Sequence, residues 1–533
     1  LLYFLILIFK ILIKNQQRKG TPMKKKITFF SILFALSAVM LSSEVIAELQ
    51  NVEVGGSIRI RGNYINNLFN DFAGPMPSVQ SRWSPISVIR RPIGNLLGPG
   101  VNSIFSWDND QSDLSFVEQR TRLHVKADFT DEVSAFIELD SYDIWGEDFR
   151  SQNYITGVDA RQNSIDDVEI FQAYIEADEM WGTPLQLRVG RQELSFGSQF
   201  LVGPRDFAFF WTGISFDAVR LTYKADVFTI DAWASKLFEA MSDFAEDDIN
   251  FYGIYASCTA VENVTFDVYW MLLEDDRPIA NDFPAIWGRG DYDNTILHTV
   301  GIRSAGKYEA FDFDAEVAYQ FGEADAIGKL FRVGPWGDND AEFDNWAVKL
   351  DLGYTFDFWR QPRVFAGFRY FSGEDNRDIS FWDFINPFYE PTASISFNRL
   401  FSNEIAGGFV DLNNELSNAW WVRVGTNTSF TDKIRGIFCV TYYETANEFE
   451  RPVLSPLFPW WTTKNDSYLG TEALLFLEYQ YSQDLVFEAG WSHMFVGEGM
   501  TDGQFVRWNG LVYSGGSDDD DVDYVYAGCK IYF

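Results

Sequence analysis

Between Val117 and Phe129 every second side chain is ionisable, and most of those between are apolar. Val117, Thr121, Leu123, Val125, Ala127 and Phe129 share one face of an extended strand, and Glu118, Arg120, Arg122, His124, Lys126 and Asp128 share the other, because successive side chains of a strand point to opposite sides. Six successive ionisable groups need water or counter-charges along the whole strand. The apolar face opposite them needs a non-aqueous neighbour. A strand in the wall of a membrane barrel meets both demands, with lipid outside and a polar lumen inside.

The same period recurs at 53–64, 114–129, 133–142, 168–178, 184–191, 214–224, 227–235, 250–258, 262–272, 295–305, 309–322, 344–356, 361–372, 417–430, 433–444, 469–481, 484–495 and 522–533. The gaps between these segments alternate in length. Short ones include Thr130-Asp131-Glu132, Ala225-Asp226, Gly306-Lys307-Tyr308 and Ser482-Gln483; long ones include 65–113, 143–167, 192–213, 273–294, 373–416, 445–468 and 496–521. Bacterial single-chain barrels have an even strand number, short periplasmic turns and long external loops. The pattern predicts an all-β fold: a transmembrane antiparallel up-and-down barrel of about 18 strands with both ends in the periplasm.

The ends of the chain fit export to the bacterial outer membrane. Lys24-Lys25-Lys26 after Met23, an apolar run from Ile27 to about Leu41, and Val45-Ile46-Ala47 read as a signal peptide over 23–47. Residues 1–22 read as over-extended translation, and 48–533 as the barrel. After Ala47 no run of ~18 apolar residues remains for a spanning helix. At the other end Val525, Ala527, Cys529, Ile531 and Phe533 share a face. The terminal Phe533 resembles the signature read by barrel-assembly machinery, which is an expected partner together with outer-membrane lipid and lipopolysaccharide. Tyr142, Trp145, Trp270, Trp359, Tyr370, Phe371, Tyr442, Tyr443 and Tyr481 lie near segment ends, where interfacial girdles favour aromatic rings.

Composition narrows the function. The formal charge is −35, and seven of the 42 basic residues lie before Glu48, so the exported part is more acidic still. Nucleic acid is excluded as a partner, because phosphate binding needs a basic footprint. Cys258, Cys439 and Cys529 are scattered singly, which gives no zinc or redox motif. The histidines are His124, His298 and His493, and no serine motif accompanies them as nucleophile and base. No enzyme and no cofactor is expected. Acidic runs at Glu246-Asp247-Asp248, Glu274-Asp275-Asp276, Glu374-Asp375 and Asp518 to Asp521 read as a solvated outer surface, with Ca²⁺ binding the sharper alternative. Asp338 to Asp344 opens like an EF-hand loop but has Phe343 where that loop turns and Lys349 at its last ligand position, so it is not one.

The alternation places Arg59, Arg61, Arg120, Arg122, Lys126, Arg188, Arg220, Lys224, Arg303, Lys349, Arg369, Arg423 and Arg435 toward the lumen. It places Glu118, Asp128, Glu138, Asp140, Glu176, Asp231, Asp267, Asp312, Asp314, Glu316, Asp351, Glu472 and Glu478 there too. Basic and acidic residues cluster on different strands. Two readings follow: opposed basic and acidic walls that set ion preference, or mutual neutralisation that stiffens the barrel.

One stretch carries more than periodicity. Gly190-Arg191-Gln192, Leu194, Phe196-Gly197, then Leu201-Val202-Gly203 with Arg205, then Phe216-Asp217 and Arg220 resemble the alginate-export family of outer-membrane proteins. The resemblance implies an eighteen-stranded barrel with an arginine-lined conduit for an anionic exopolysaccharide, gated by loops and a periplasmic turn. It adds Arg191, Arg205, Asp206 and Asp217 as candidate substrate residues. For Arg191, Asp206 and Asp217 the alternative is an ion-paired network that folds the loop inward. The aromatic run Phe207 to Ile214 and the near-balanced lumen depart from the family's pattern. The expected function is a porin-like channel for an anionic polysaccharide or small charged solute, with periplasmic export partners possible for such a conduit. A general diffusion porin and a scaffold for a partner complex are the alternatives.

Overall fold

The computed structural model describes residues 49–66, 114–130, 132–146, 168–205, 213–239, 248–277, 279, 293–330, 338–376, 392–408, 416–448, 451–453, 461–463, 466–501, 506–507 and 521–533. The signal peptide and the segment before it fall outside these residues, as does Asp206.

Eighteen strands close into one sheet. They are β1 (Asn51–Asn66), β2 (Leu114–Thr130), β3 (Val133–Ile144), β4 (Glu169–Ala177), β5 (Leu185–Gln192), β6 (Phe216–Lys224), β7 (Phe228–Phe238), β8 (Ile249–Val261) and β9 (Val264–Asp275). The circuit continues through β10 (Thr295–Tyr308), β11 (Phe311–Glu323), β12 (Glu342–Thr355), β13 (Arg363–Phe371), β14 (Ala419–Ser429), β15 (Ile434–Thr445), β16 (Tyr468–Gln480), β17 (Leu485–Val496) and β18 (Val522–Tyr532). Each strand pairs antiparallel with its neighbours in the chain, and β18 pairs with β1 from Ser57 opposite Tyr532 to Asn66 opposite Asp523. Closure leaves no strand edge unpaired, as a sheet in lipid requires.

Every segment expected from the alternation overlaps one of these strands, with ends that differ by up to three residues. The turns fall slightly later in places. Gly306-Lys307-Tyr308 belongs to β10, and the chain reverses at Glu309-Ala310. Glu262 lies in the turn with Asn263, whose φ of 60° is a left-handed conformation that Asn tolerates.

Burial is inverted relative to a soluble protein. Outward Val54, Ile175, Val268, Ile302 and Val424 are all more than half exposed, whereas inward Glu118, Arg120, Asp140, Glu316 and Arg369 are buried. So long an exposed apolar band belongs against lipid. Trp145, Trp181, Tyr308, Trp359 and Tyr481 project at its two margins, which suits amphipathic rings. Three aromatics expected in the girdle face the other way. Phe371 and Tyr443 are fully buried in the bore, and Tyr142 donates to Glu118 at 3.2 Å. Each lies an odd number of positions from an outward neighbour such as Tyr370 or Tyr442, so alternation turns it inward.

Candidate functional site

The lumen wall is built of guanidinium and carboxylate groups on adjoining strands. Arg120 of β2 donates Nε to both carboxylate oxygens of Asp140 on β3, at 3.0 and 2.8 Å. Arg61 of β1 meets Glu118 of β2 at 2.7 Å. Arg188 meets Glu176 at 2.5 Å, and Arg220 meets Asp231 at 2.8 Å. Arg303 on β10 bridges Asp267 on β9 at 2.7 Å and Asp314 on β11 at 2.8 Å. Arg363 and Asp312 pair at 2.5 Å, Arg435 and Glu478 at 2.9 Å. Arg59 reaches across β18 to Glu488 on β17 at 3.0 Å; Gly528 of β18, opposite both Arg61 and Glu488, has no side chain to obstruct it.

The expectation of basic and acidic walls facing each other across the bore is therefore corrected. Antiparallel register sets residues of one inward row directly opposite the next strand's inward row. An arginine on one strand and a carboxylate on its neighbour are within fork reach, and pairing across the strand boundary is shorter than pairing across the lumen.

Two loop segments fold into the bore. In 193–205, after β5, Leu194, Phe196, Phe200, Leu201 and Val202 are buried. Phe196 stacks on Trp233 at 4.4 Å and on Tyr255 at 5.2 Å. Gly197 has φ +53° and its position lies against the Tyr255 hydroxyl, so a side chain there would be both strained and crowded. The second segment, 392–408 after β13, buries Ile395, Phe397, Arg399, Ser402, Asn403 and Ala406. The two segments join inside the barrel. Val202 and Phe401 form a parallel bridge, Asn403 N donates to Gln199 O at 3.0 Å, and Asn403 Nδ2 donates to Gln199 Oε1 at 2.6 Å.

The 392–408 strap is also tied to the wall. Asn398 and Gln320 of β11 exchange hydrogen bonds at 2.9 and 2.7 Å. Arg399 lies 4.8 Å from the Phe371 ring and donates to Glu404 O at 2.6 Å. Glu404 accepts from Arg369 at 2.6 Å and lies 3.7 Å from Lys349. Burial alone would push the Glu404 carboxyl up, but Arg369, Lys349 and Arg423 outweigh it and hold it at about 2. Further along, Gly407 lies against Glu472 and Tyr443, and Gly408 against Leu474 and Ser492. The strap thus runs beside β11 to β17 at one level of the bore.

The candidate residues named from sequence divide into three groups. Arg59, Arg61, Arg120, Arg122, Lys126, Arg188, Arg220, Arg303, Arg369, Arg423 and Arg435 face inward by register; all are buried or half-buried except Arg435, which is exposed near a short turn. Arg122 lies within 3.6 Å of Glu138, Asp140 and Glu193, over the Phe171 ring at 4.2 Å. Lys126 pairs with Asp128 at 3.3 Å. Arg205, at φ 51°, ends the described part of the first inward segment.

Arg191 and Asp217 do not line the pore. They pair at 2.9 Å on the outer face, 45% and 57% exposed. Their inward neighbours are Gln192, fully buried, and Ala218. The odd spacing from inward Arg188 and Arg220 turns both outward. Sequence reading missed Glu404, Arg399, Gln199, Asn403, Arg363 and Glu488. Arg363 and Glu488 share the inward parity of Arg369 and Ser492. For the strap, the available signal was the alternation of Ile395, Phe397 and Phe401 with Ser and Asn, in a loop that is rich in aromatic residues throughout. Among the described residues no three carboxylate, imidazole or thiol groups stand together as a cation cage.

Comparison with known proteins adds a family and a set of similar folds. A family model described as "Alginate export" matches residues 106–509. No curated protein matches the sequence. Among solved structures, OccK8 (OprE) of Pseudomonas aeruginosa is 11% identical over 90% of this chain and 98% of its own, with a TM-score of 0.46. OccAB2 of Acinetobacter baumannii is 12% identical over 90% and 98%, with a TM-score of 0.47.

Proposed function

Because this chain belongs to the alginate export family, whose members are outer-membrane transport channels, we propose that it is a selective conduit for an anionic polysaccharide or a comparable elongated anion. A porin-like channel in the bacterial outer membrane is the shared property of family and barrel. The observation that carries the finer reading is the paired lumen narrowed by two docked segments. A polyuronate presents carboxylates and hydroxyls in alternation along its length. Guanidinium forks donate to the carboxylates, and the neighbouring Asp and Glu oxygens accept hydrogen bonds from hydroxyls. A wall that offers both at each step suits such a polymer better than a uniformly basic one, because exchange from step to step stays shallow enough for movement. The segments 193–205 and 392–408 favour selectivity over free diffusion, since they narrow the bore and bring paired charges closer to whatever passes.

Planar-bilayer conductance tests this. Polyuronate added at low concentration blocks current in a selective conduit, and neutral dextran of equal length does not. Ohmic current unaffected by polyuronate overturns the reading in favour of a general porin, whose paired charges would impose only weak ion preference.

A further inference from the structure

Below the strap lies a hollow of about 560 Å³. Ile405, Ala406 and Gly407 form its roof. Much of its wall comes from the portions of β13 to β16 that lead to the short turns: Arg363 begins β13, Asn427 lies near the end of β14, Ile437 near the start of β15, and Phe476 near the end of β16; Asp312 to Asp314 of β11, Asp351 of β12 and Tyr526 of β18 complete it. The hollow therefore lies on the periplasmic side of the strap.

Two features set it apart from the rest of the lumen. Phe365, Ile437, Cys439, Leu474 and Phe476 make an apolar wall beside the charged Asp312, Asp314, Asp351 and Arg363 of the same hollow. Gly425, between Phe365 and Cys439, keeps that wall recessed: a Cβ there would meet the Phe365 ring at 2.5 Å and Cys439 at 2.6 Å. The second feature is Arg423. Its neighbouring carboxylates are engaged with other cations: Asp312 with Arg363, Asp314 with Arg303 and Lys349, Asp351 with Arg369, and Glu404 with Arg369 and Lys349, Arg423 adding to the field around Glu404 without pairing with it. Among the described residues Arg423 forms no ion pair; its Nη1 donates to Ile405 O at 3.3 Å, and its buried Nε finds no protein acceptor. A buried donor without an acceptor is costly unless something supplies one.

We propose that this hollow is a binding site for an organic anion with an apolar body, entered from the periplasm. Arg423 takes the acidic group, and the wall of Phe365, Ile437, Leu474 and Phe476 takes the body. The volume is that of a small-molecule pocket. A sugar acid of the same charge fits poorly, because its hydroxyls would lose water against a wall that offers them no hydrogen bonds. The site goes beyond the conduit reading and does not require conduction.

Equilibrium binding to the folded full-length barrel in detergent tests it, by calorimetry with cyclohexanecarboxylate, glucuronate and cyclohexanecarboxamide. The two acids share a six-membered ring and one carboxylate and differ mainly in hydroxyls. Cyclohexanecarboxylate binds at least tenfold more tightly than either of the others, Arg423→Gln removes that advantage, and Arg423→Lys restores part of it. Cys439→Phe, which fills the hollow, weakens binding while leaving Arg423 in place. Glucuronate binding as well as cyclohexanecarboxylate, no binding of either, or an unchanged affinity in a folded Arg423→Gln barrel each overturns the proposal. Failure of polyuronate to block current would overturn the conduit and leave this measurement standing.

Discussion

Arg120 shows how a lumen charge can be structural first. It is 4% exposed and shares a two-pronged hydrogen bond with Asp140, itself 3% exposed. Reversing its charge sets a second carboxylate beside Asp140 with no cation between them. Breaking a buried pair costs about 3–5 kcal/mol, so Arg120→Glu lowers the midpoint of urea unfolding in lipid vesicles strongly. Arg435 makes a similar pair with Glu478, but its side chain is 57% exposed. Arg435→Glu folds normally and shifts the reversal potential toward cations. Wild-type stability in Arg120→Glu would refute the structural role. The same pair of residues shows what a sequence reader can and cannot see. Both are inward by parity, which alternation states outright. Their burial depends on what the loops place above them, and that is a long-range fact. Arg191 differs: it sits in a motif shared with inward residues, but its odd offset from Arg188 fixes it on the outer wall.

At the scale of elements, the 392–408 strap depends on Glu404. The sign of its pH dependence follows from its depressed pKa. A carboxylate held at about 2 in the folded state contributes stability that is fully present above its ordinary value near 4.5 and is lost as pH falls through about 2. Single-channel conductance should stay at its narrow level down to about pH 3. Glu404→Gln, which leaves Arg369 and Lys349 facing a neutral amide, should raise conductance at neutral pH and abolish the acid transition. Unchanged conductance in this variant would mean that the Gln199–Asn403 junction alone holds the strap. A second loop device behaves oppositely. Asp325 opens the short helix α1 (Asp325–Leu330) and accepts from Asp293 N at 2.5 Å. Burial first, then the Asp293, Glu323 and Asp338 carboxylates, push its carboxyl up to about 6. The folded loop binds the proton more tightly than the unfolded one, so its anchoring is fullest below about pH 4 and weakens as pH rises through 6. Hydrogen exchange at Ala326 and Ile327, corrected for intrinsic rates, should be faster at pH 7 than at pH 5, and Asp325→Asn should remove the difference. Neither device was legible in the sequence. A strand announces itself because lipid and lumen impose a two-residue period, whereas a loop's path into the bore is set by partners such as Gln320, Phe371 and Arg369 that lie on other strands.

For the molecule as a whole, the decisive quantity is what surrounds the outer face. Ile302 is 63% exposed and Val424 57%, and each lies well inside its strand. In water such residues would be ordinary surface positions, where substitutions stay within about ±0.5 kcal/mol. In lipid they sit in hydrocarbon, and an arginine near the midplane costs about 2–4 kcal/mol. Ile302→Arg and Val424→Arg should therefore each lower stability by that amount in vesicles. Tyr308→Arg, at the periplasmic margin and 75% exposed, should cost about 0–1 kcal/mol. The gradient from middle to margin is the test: equal small effects at all three sites would remove lipid from the argument, and equal large ones would point to packing. The alternation between Val117 and Phe129 made the two solvents of this wall visible at once, and the same alternation predicts that Arg303, one residue from Ile302, is tolerated only because Asp267 and Asp314 receive it on the other side.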